Sequence, residues 1–301
     1  MTILQAIVLG IVQGLTEFIP ISSTAHLIFA SRAIGLYENE ALRAQLTTAT
    51  IAVIQLGTLL AVLIYFSRDI WKISSAFVRD HLALIRGKRS EAALRATNET
   101  GREQKLSHDA WLGWLVIIGS LPIGIVGLVF KKQIEGTFTK NLWVIATMMI
   151  VVAIFLIVAE LVGKRQRTMD DLSLRDALAV GGTQVLSLIP GASRSGSTIM
   201  GGLFAGETRE TAARFSFLLS IPAIAASGLL ELKEAVRNLP SDSYPSLAMA
   251  TVISGIVGYA SIWFLLRYLR THSTAVFIGY RLIIGGLILT LLFTRVISPA
   301  G

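Results

Sequence analysis

The sequence contains no cysteine and little charge, and both deficits narrow the class of protein. Without cysteine there is no disulfide among its 301 residues, and cysteine usage says nothing about the redox compartment. Only 15% of the residues are charged, against about 25% in an ordinary soluble domain. Because 53% of the residues are apolar, the deficit of charge indicates that lipid solvates most of the chain.

The N-terminus also lacks the positive region of a signal peptide, so we expect it to remain on the mature protein. The formal net charge is +8, from 27 basic and 19 acidic residues. The basic residues are scattered over polar loops, which argues against nucleic acid as a partner. Such a pattern favours contact with membrane lipids and their anionic headgroups.

Eight apolar segments follow one another along the chain, and several approach the ~20 residues that cross a bilayer as a helix. A polar stretch at about 67–110, rich in charge, contains a helix that we expect to lie at the surface. The sequence therefore predicts an all-α polytopic membrane protein with about six transmembrane helices. The apolar segments are approximately 3–31, 46–66, 111–130, 142–163, 176–205, 212–231, 247–269 and 276–296.

The first and fifth segments are each interrupted by proline and small polar residues. One interruption spans residues 17–26, around Pro20, and the other spans residues 188–198, around Pro190. Proline excludes the residue before it from the α region, so each helix should end there. The serines that follow are good N-caps for a second half-helix. We therefore expect two re-entrant helix-loop-helix hairpins.

The two halves of the chain resemble each other weakly, which predicts an inverted-topology repeat. Residues 9–13 align with residues 180–184, and the prolines of the two interruptions align one gap later. Interrupted helices at matching places in two halves are typical of inverted repeats with a site at the interruptions. The predicted repeats are residues 1–163 and 176–301 of a single membrane domain.

Charge in the loops predicts the topology. With two hairpins, each half crosses the membrane three times, and the positive-inside rule makes the basic loops cytoplasmic. The basic loops are 67–110, 164–175 and 267–275, and the nearly neutral loops opposite them are 32–45 and 232–246. Three lysines fall on the unexpected side, namely Lys131, Lys132 and Lys140. If the interrupted segments instead cross the membrane fully, the basic loops still share a side. Charge therefore does not choose between the two topologies. We prefer the hairpins because the interruptions are deep and polar.

The first interruption carries groups that suit catalysis. Gln13 and Glu17 are spaced i, i+4 and share a helix face, and an ionisable group inside a membrane is a functional hypothesis by default. Ser23 and His26 are i, i+3, as a nucleophile and its base would be. The alternatives are that Glu17 caps the next half-helix or lies at the interface, and that Ser22 and Ser23 are caps beside a hydrogen-bonded core histidine.

The second interruption carries groups that suit binding of an anion. Arg194 stands among hydroxyls, and Gly191 permits close approach of the backbone to a ligand. Helix N-termini attract anions, and a guanidinium matches phosphate geometry. The neighbouring hydroxyls are those of Ser193, Ser195, Ser197 and Thr198. The alternatives are that Arg194 snorkels or pairs with Glu17 structurally. Arg214 and Ser216 could extend this pocket. The alternative for Arg214 is that it anchors the helix at the membrane interface.

Together these groups suit phosphoryl transfer on an anionic headgroup. Glu17 alone would repel a diphosphate, and a divalent cation between them removes that conflict. Gln13 and Glu17 supply oxygen ligands of the kind that Mg²⁺ or Ca²⁺ accepts. The rival hypothesis is a transporter or flippase of a polyprenyl phosphate lipid, which would share the inverted repeat. Transport alone does not require a hydroxyl and an imidazole beside a metal-binding carboxylate.

Both motifs resemble those of the undecaprenyl-diphosphate phosphatases, also called bacitracin-resistance proteins. The family pattern Glu/Gln-x-x-x-Glu is matched by Gln13 to Glu17 and continues to Leu27. The pattern Pro-Gly-x-Ser-Arg-Ser-x-x-Thr is matched in full from Pro190 to Thr198. Residues 214–219, the length and the order of the apolar segments also agree, so the resemblance covers nearly the whole chain.

The resemblance implies hydrolysis of undecaprenyl diphosphate, a polyprenyl diphosphate lipid, in the bacterial inner membrane, with resistance to bacitracin. It also implies a divalent metal ion and a site open to the periplasm, and a homodimer is among the expected partners. Glu17 is implied to bind metal or transfer protons, and Arg194 to clamp phosphate. Ser23, His26 or a metal-bound water is the nucleophile, with His26 otherwise an acid or base. The resemblance implies Ser193, Ser195 and Thr198 as further phosphate ligands, and we expect Ser22, Gly191, Arg214 and Ser216 to contribute to the same pocket.

Two positions depart from the family pattern. Gln13 stands where many members carry Glu, so the metal site has one negative charge fewer and this side chain cannot act as a base. Ala25 stands where glycine is usual beside the histidine, and it restricts the backbone there slightly.

Overall fold

The computed structural model describes residues 1–36, 40–100, 105–130, 141–238 and 243–299. Within residues 40–48, 96–100 and 229–238 it describes the backbone alone. The described part of the chain is 81% helical and contains no strands; Arg167 and Glu207 form an isolated bridge. The predicted all-α class is confirmed.

Twelve α-helices are found in the described part of the chain. They are α1 (Ile3–Phe18), α2 (Ser23–Ala33), α3 (Glu40–Tyr65), α4 (Ser67–Ile85), α5 (Glu91–Thr100), α6 (His108–Val129), α7 (Leu142–Val162), α8 (Leu174–Gln184), α9 (Arg194–Phe204), α10 (Arg209–Asn238), α11 (Tyr244–Leu269) and α12 (Ala275–Phe293). A 3₁₀ turn, Val185–Leu188, extends α8, and another, Met169–Asp171, lies between α7 and α8.

Length and apolar composition qualify five of these helices as membrane spans, and up to six if α3 and α4 count as one bent span. The five are α6, α7, Arg209–Gly228 of α10, α11 and α12. The 26 residues of α3 alone extend about 39 Å, which exceeds the ~30 Å hydrocarbon core of a bilayer. The polytopic architecture with about six spans is therefore confirmed.

Both interruptions fall where proline predicted them. The first separates α1 from α2 and the second separates α8 with its 3₁₀ turn from α9, and each pair packs back on itself. The residues just before the second half-helices, Ser22 and Ser193, have φ of 78° and 70°, a conformation uncommon outside glycine. Such strain persists where the surrounding structure enforces it, typically at functional sites.

Each hairpin packs against a helix from the other half of the chain. α1 lies along α11, and α8 lies along α6. The helix α3 packs on α10, and α7 packs on α12. This reciprocal packing is what an inverted repeat produces; the repeat boundaries at residues 163 and 176 stay a prediction.

Close backbone approach positions α1. A Cβ on Gly14 would lie only 2.8 Å from the carbonyl oxygen of Ser254 in α11, so the two helices touch through a residue without a side chain. The last residue of α1, Phe18, is buried edge-on against Phe217 of α10. Helix α1 is thus held from two sides, which places Gln13 and Glu17 at a defined depth.

The three basic loops meet at one end of the bundle. Glu160, at the end of α7, accepts hydrogen bonds from Arg165, from Arg209 and from the backbone and hydroxyl of Thr274. His108 lies 3.5 Å from Asp170, which joins the polar stretch before α6 to the same end. The shared side predicted from charge is therefore observed. Lys131, Lys132 and Lys140 lie outside the described residues, as do parts of the predicted periplasmic loops.

Candidate active site

The two interruptions meet, and their most polar residues contact each other. Glu17, in the last turn of α1, forms an ion pair with Arg194, the first residue of α9. Their side chains are only 6% and 14% exposed. An acid and a guanidinium that are 177 residues apart in sequence thus pair in the interior, as expected both for a shared site and for the alternative of a structural ion pair; their catalytic roles stay predictions.

Two amides surround the carboxylate of Glu17. Gln13 donates from Nε2 to Oε2 of Glu17 at 3.0 Å, and Gln55 of α3 donates to Oε1 at 3.3 Å. The same Nε2 of Gln13 is 3.4 Å from the hydroxyl of Thr58. The other amide atom, Oε1 of Gln13, is buried and has no hydrogen-bond partner among the residues that the structure describes. It is therefore an unused oxygen acceptor beside a carboxylate.

The start of α9 presents donors around Arg194. Ser193 caps the helix, since its hydroxyl accepts from the amide of Gly196 at 3.2 Å. The hydroxyl of Ser195 lies 3.3 Å from that of Ser193. Within the described part of the chain, Arg194 donates through Nη2 alone, so its Nε and Nη1 keep donors that a phosphate can use. The peptide N–H groups of a first helical turn add to this anion-binding character.

Three predicted phosphate ligands are engaged in packing. The hydroxyl of Thr198 donates to the carbonyl of Arg194 at 2.8 Å and lies 2.5 Å from that of Ser216 in α10. Gly191 has φ of 90°, and a Cβ there would lie 2.2 Å from the carbonyl oxygen of Ile145 in α7. The close approach that this glycine permits is therefore to a neighbouring helix. The phosphate-binding roles of Gly191, Thr198 and Ser216 stay predictions.

Arg214 lies at the junction of α3 and α4. Its Nη2 donates to Asp69 at 2.9 Å, and its guanidinium is 5.8 Å from the ring centre of Phe66. With Asp69, Lys72 and His108 it lines a cavity of about 160 Å³. These contacts support the alternative in which Arg214 is an anchor, and its role as a phosphate ligand stays a prediction.

His26 is held by two partners that do not include Ser23. Its Nδ1 donates to the carbonyl of Ser22 at 2.7 Å, because a carbonyl can only accept, and its Nε2 then accepts from the hydroxyl of Tyr280 at 2.6 Å. Ser23 is half-buried at the start of α2, and the hydroxyl of Ser22 is buried without a partner among the described residues. The ring nitrogens of His26 are therefore engaged by Ser22 and Tyr280, and the role of His26 as the base of Ser23 stays a prediction.

Sequence reasoning missed Arg281 of α12, which is fully buried. Its guanidinium donates five hydrogen bonds, all to backbone carbonyls, at 3.0–3.3 Å. The acceptors are Pro20 in the first loop, Gly191 and Ala192 in the second loop, and Met148 and Met149 in α7. One side chain thus joins both loops. Arg281 is the single charged residue between Ala275 and Phe293, and a charge in the middle of an apolar segment was a signal that could have found it.

Tyr280 was also missed, and no charge or motif marks it in the sequence. Its ring stacks on the imidazole of His26, with the ring centres 5.5 Å apart. It directly precedes Arg281, so consecutive residues of α12 contact the first loop and the first residues of α2.

An all-helical membrane protein with a buried carboxylate–guanidinium pair, hydroxyls and half-helix N-termini is of the class that acts on an anionic headgroup at membrane depth.

The comparisons with known proteins assign the family. The family model described as bacitracin resistance protein BacA matches residues 6–287, so the chain belongs to this family. A relative named undecaprenyl-diphosphatase from Syntrophobacter fumaroxidans is 50% identical over 293 residues, which cover 97% of this chain and 98% of the relative. Relatives of the same name from Mycolicibacterium gilvum and Myxococcus xanthus are each 46% identical to this chain. Each alignment covers 99% of this chain, together with 99% of the Mycolicibacterium relative and 92% of the Myxococcus relative.

Proposed function

We propose that the protein hydrolyses undecaprenyl diphosphate to undecaprenyl phosphate and inorganic phosphate. This reaction recycles the lipid carrier of cell-wall synthesis and counters bacitracin. The observation that carries the proposal is the buried contact between Glu17 and Arg194, which joins the two motifs in one site. The names of the relatives support the same activity and offer no support for the transporter hypothesis.

Arg194 and the start of α9 bind the diphosphate. The guanidinium is held by Glu17 through Nη2, so it is oriented before substrate arrives and loses little freedom on binding. Ser193 and Ser195 place two further hydroxyls at the same helix start. Preorganised donors of this kind stabilise the charge that develops on the phosphoryl oxygens in the transition state.

Ser23 is the residue that we assign as nucleophile. Its hydroxyl has no hydrogen-bond partner in the described part of the chain, whereas both ring nitrogens of His26 are engaged. Attack by the Ser23 oxygen on the terminal phosphorus breaks the anhydride bond to the bridging oxygen and releases undecaprenyl phosphate. Water then releases inorganic phosphate from the serine. The proton of the Ser23 hydroxyl leaves to a base, for which His26, whose Nε2 accepts from Tyr280 in this structure, is the candidate.

Gln13 and Glu17 fit a divalent cation. The unused, buried Oε1 of Gln13 lies beside the carboxylate of Glu17. The described residues contain no group of three or more acidic, histidine or cysteine side chains that could hold a metal ion by themselves. Mg²⁺ is commonly held by one or two protein ligands together with substrate phosphates. The cation would neutralise charge on the diphosphate. The other ligands would then come from the substrate.

We expect the site to open towards the periplasm. In the predicted topology the basic loops at 67–110, 164–175 and 267–275 lie at the end opposite the nearly neutral loops at 32–45 and 232–246. The positive-inside rule makes the basic end cytoplasmic and the neutral end periplasmic. Access from the periplasm matches a substrate whose diphosphate is exposed there after carrier use.

Detergent-purified protein is expected to release phosphate from a polyprenyl diphosphate, and a chelator should abolish the release. Added Mg²⁺ or Ca²⁺ should restore it, since Glu17 without a cation repels the substrate. The measurement is inorganic phosphate against time, with the Ser23→Ala variant as the matched control. A preparation that binds the lipid but releases no phosphate in any metal would contradict the proposed function.

Gln13→Glu is expected to keep activity and to tighten divalent-cation binding by about tenfold, because it adds a second carboxylate to the proposed site. The matched variant Gln13→Leu keeps the volume but removes the oxygen, and should weaken binding. Both are compared by titrating phosphate release with metal. Weaker metal affinity in Gln13→Glu would remove this residue from the metal site.

A further inference from the structure

Helix α4 leaves the bundle at a sharp elbow. Its axis turns by 71° from that of α3 at the break beside Phe66. If α3 spans the bilayer, α4 therefore runs close to the membrane plane. Its location, at the end of the bundle with the basic loops, places it at headgroup depth.

One face of α4 is fixed against the protein. Phe77 packs on Gly113 of α6, and His81 accepts a hydrogen bond from the indole of Trp114 at 3.0 Å. Both acidic residues of the helix turn the same way. Asp69 pairs with Arg214, and the buried Asp80 accepts from the amide of Ser107 at 2.7 Å. Both acidic side chains of α4 are thus bonded to other parts of the protein.

The outward face carries an apolar stripe. Trp71, Val78, Leu82 and Ile85 are spaced by seven, four and three residues, which aligns them along one side of a helix. Their side chains are 48–81% exposed. Exposed apolar residues in one continuous line, on the side of the helix away from Asp69 and Asp80, indicate contact with a nonaqueous phase.

A basic stripe runs beside the apolar stripe. Arg68, Lys72, Arg79 and Arg86 are spaced by four, seven and seven residues and are exposed. Arg79 lies 3.3 Å from Asp80, yet its side chain is 57% exposed. Because Asp69 pairs with Arg214 and Asp80 is buried, the surface beside the apolar stripe carries an excess of positive charge. That combination is typical of helices that lie in a membrane interface.

We propose that α4 is an in-plane helix that binds anionic phospholipids. The apolar stripe enters the acyl region of the leaflet, and the basic stripe binds the phosphate groups of acidic lipids such as phosphatidylglycerol. A soluble protein partner would need to cover both stripes at the level of the headgroups, where lipid already lies. Lipid therefore fits the elbow, the exposure and the charge together, and the proposal does not depend on the phosphatase activity.

The test uses the full chain reconstituted in phosphatidylcholine vesicles that contain brominated lipid. The fluorescence of Trp71 is measured as the difference between the parent protein and the Trp71→Phe variant. Brominated phosphatidylglycerol should quench the Trp71 signal more than brominated phosphatidylcholine at equal mole fraction. Basic residues near the surface attract anionic lipid, so the preference for acidic lipid should be at least about tenfold.

Replacing Arg68, Lys72, Arg79 and Arg86 by Gln should remove the preference while brominated phosphatidylcholine still quenches Trp71. The matched control removes four exposed basic residues elsewhere, namely Lys164, Arg175, Arg267 and Arg295, and should keep the preference. Replacing the three arginines of the stripe by Lys should keep it too. No quenching of Trp71 by either lipid, or equal loss in the control variant, would overturn the proposal.

Discussion

Arg194→Ala is expected to reduce phosphate release by at least about 100-fold, the loss that follows when one preorganised donor is removed from a transition state. Arg194 is the first residue of α9, is nearly buried, and pairs with Glu17 from the other motif. A short side chain leaves the diphosphate without its guanidinium and leaves Glu17 as a buried, unpaired charge. Phosphate release per folded protein is the measurement.

The unpaired carboxylate would also cost stability, about 3–5 kcal/mol for a broken buried pair, so folding must be measured separately by thermal unfolding. Arg194→Lys keeps the charge and the pairing but loses the bidentate geometry, and should fold normally with activity well below the parent. Glu17→Ala should lose activity to a similar extent. A folded Arg194→Ala that hydrolyses as fast as the parent would refute the clamp assignment.

Arg281→Met is expected to lower stability severely, because the loop carbonyls of Pro20, Gly191 and Ala192 lose their donor at once. The carbonyls of Met148 and Met149 lie inside α7 and keep their helical hydrogen bonds. Each unsatisfied buried group costs about 1–3 kcal/mol, so three cost a large part of the ~5–15 kcal/mol stability of a whole protein. Arg281→Lys keeps the charge with three donors in place of five, so it should fold with reduced thermal stability. Its activity should fall by about tenfold or more, since small shifts of catalytic groups are costly.

A role in positioning and a role in stability alone differ in their kinetics. If Arg281 sets the geometry of both loops, the Lys variant lowers kcat measured on the folded fraction. Arg267→Lys, on the exposed surface over Trp263, is the matched control and should change neither quantity. Unchanged kcat in a less stable Arg281→Lys would reduce Arg281 to a purely structural residue.

Much of the fold could be predicted because the bilayer limits the choices. A spanning helix must be apolar over a set length and must satisfy its own backbone, so hydropathy located the spans that the structure shows. Proline ended α1 and the 3₁₀ turn that extends α8 by excluding helical geometry from the residue before it. The contact of Glu17 with Arg194 could be inferred because two interruptions in matching places imply a common site.

The uses of individual side chains could not be predicted in the same way. Thr198 and Ser216 look alike as phosphate ligands in the sequence, yet each satisfies the other across α9 and α10. Ser23 and His26 are neighbours by helical spacing, yet the imidazole bonds to Tyr280. Spacing shows which residues share a face, but it does not show what the facing helix supplies.

By itself the sequence determined the class, the spans, the two breaks and the residues able to carry charge at depth, because helix length, proline and ionisable groups act through local chemistry and the bilayer. Only the tertiary structure decided which partners those residues have. Arg281 reaches Pro20 across 261 residues and Tyr280 reaches His26 across 254. Such pairings depend on how helices pack, through contacts like Gly14 on Ser254, and packing is a property of the whole chain.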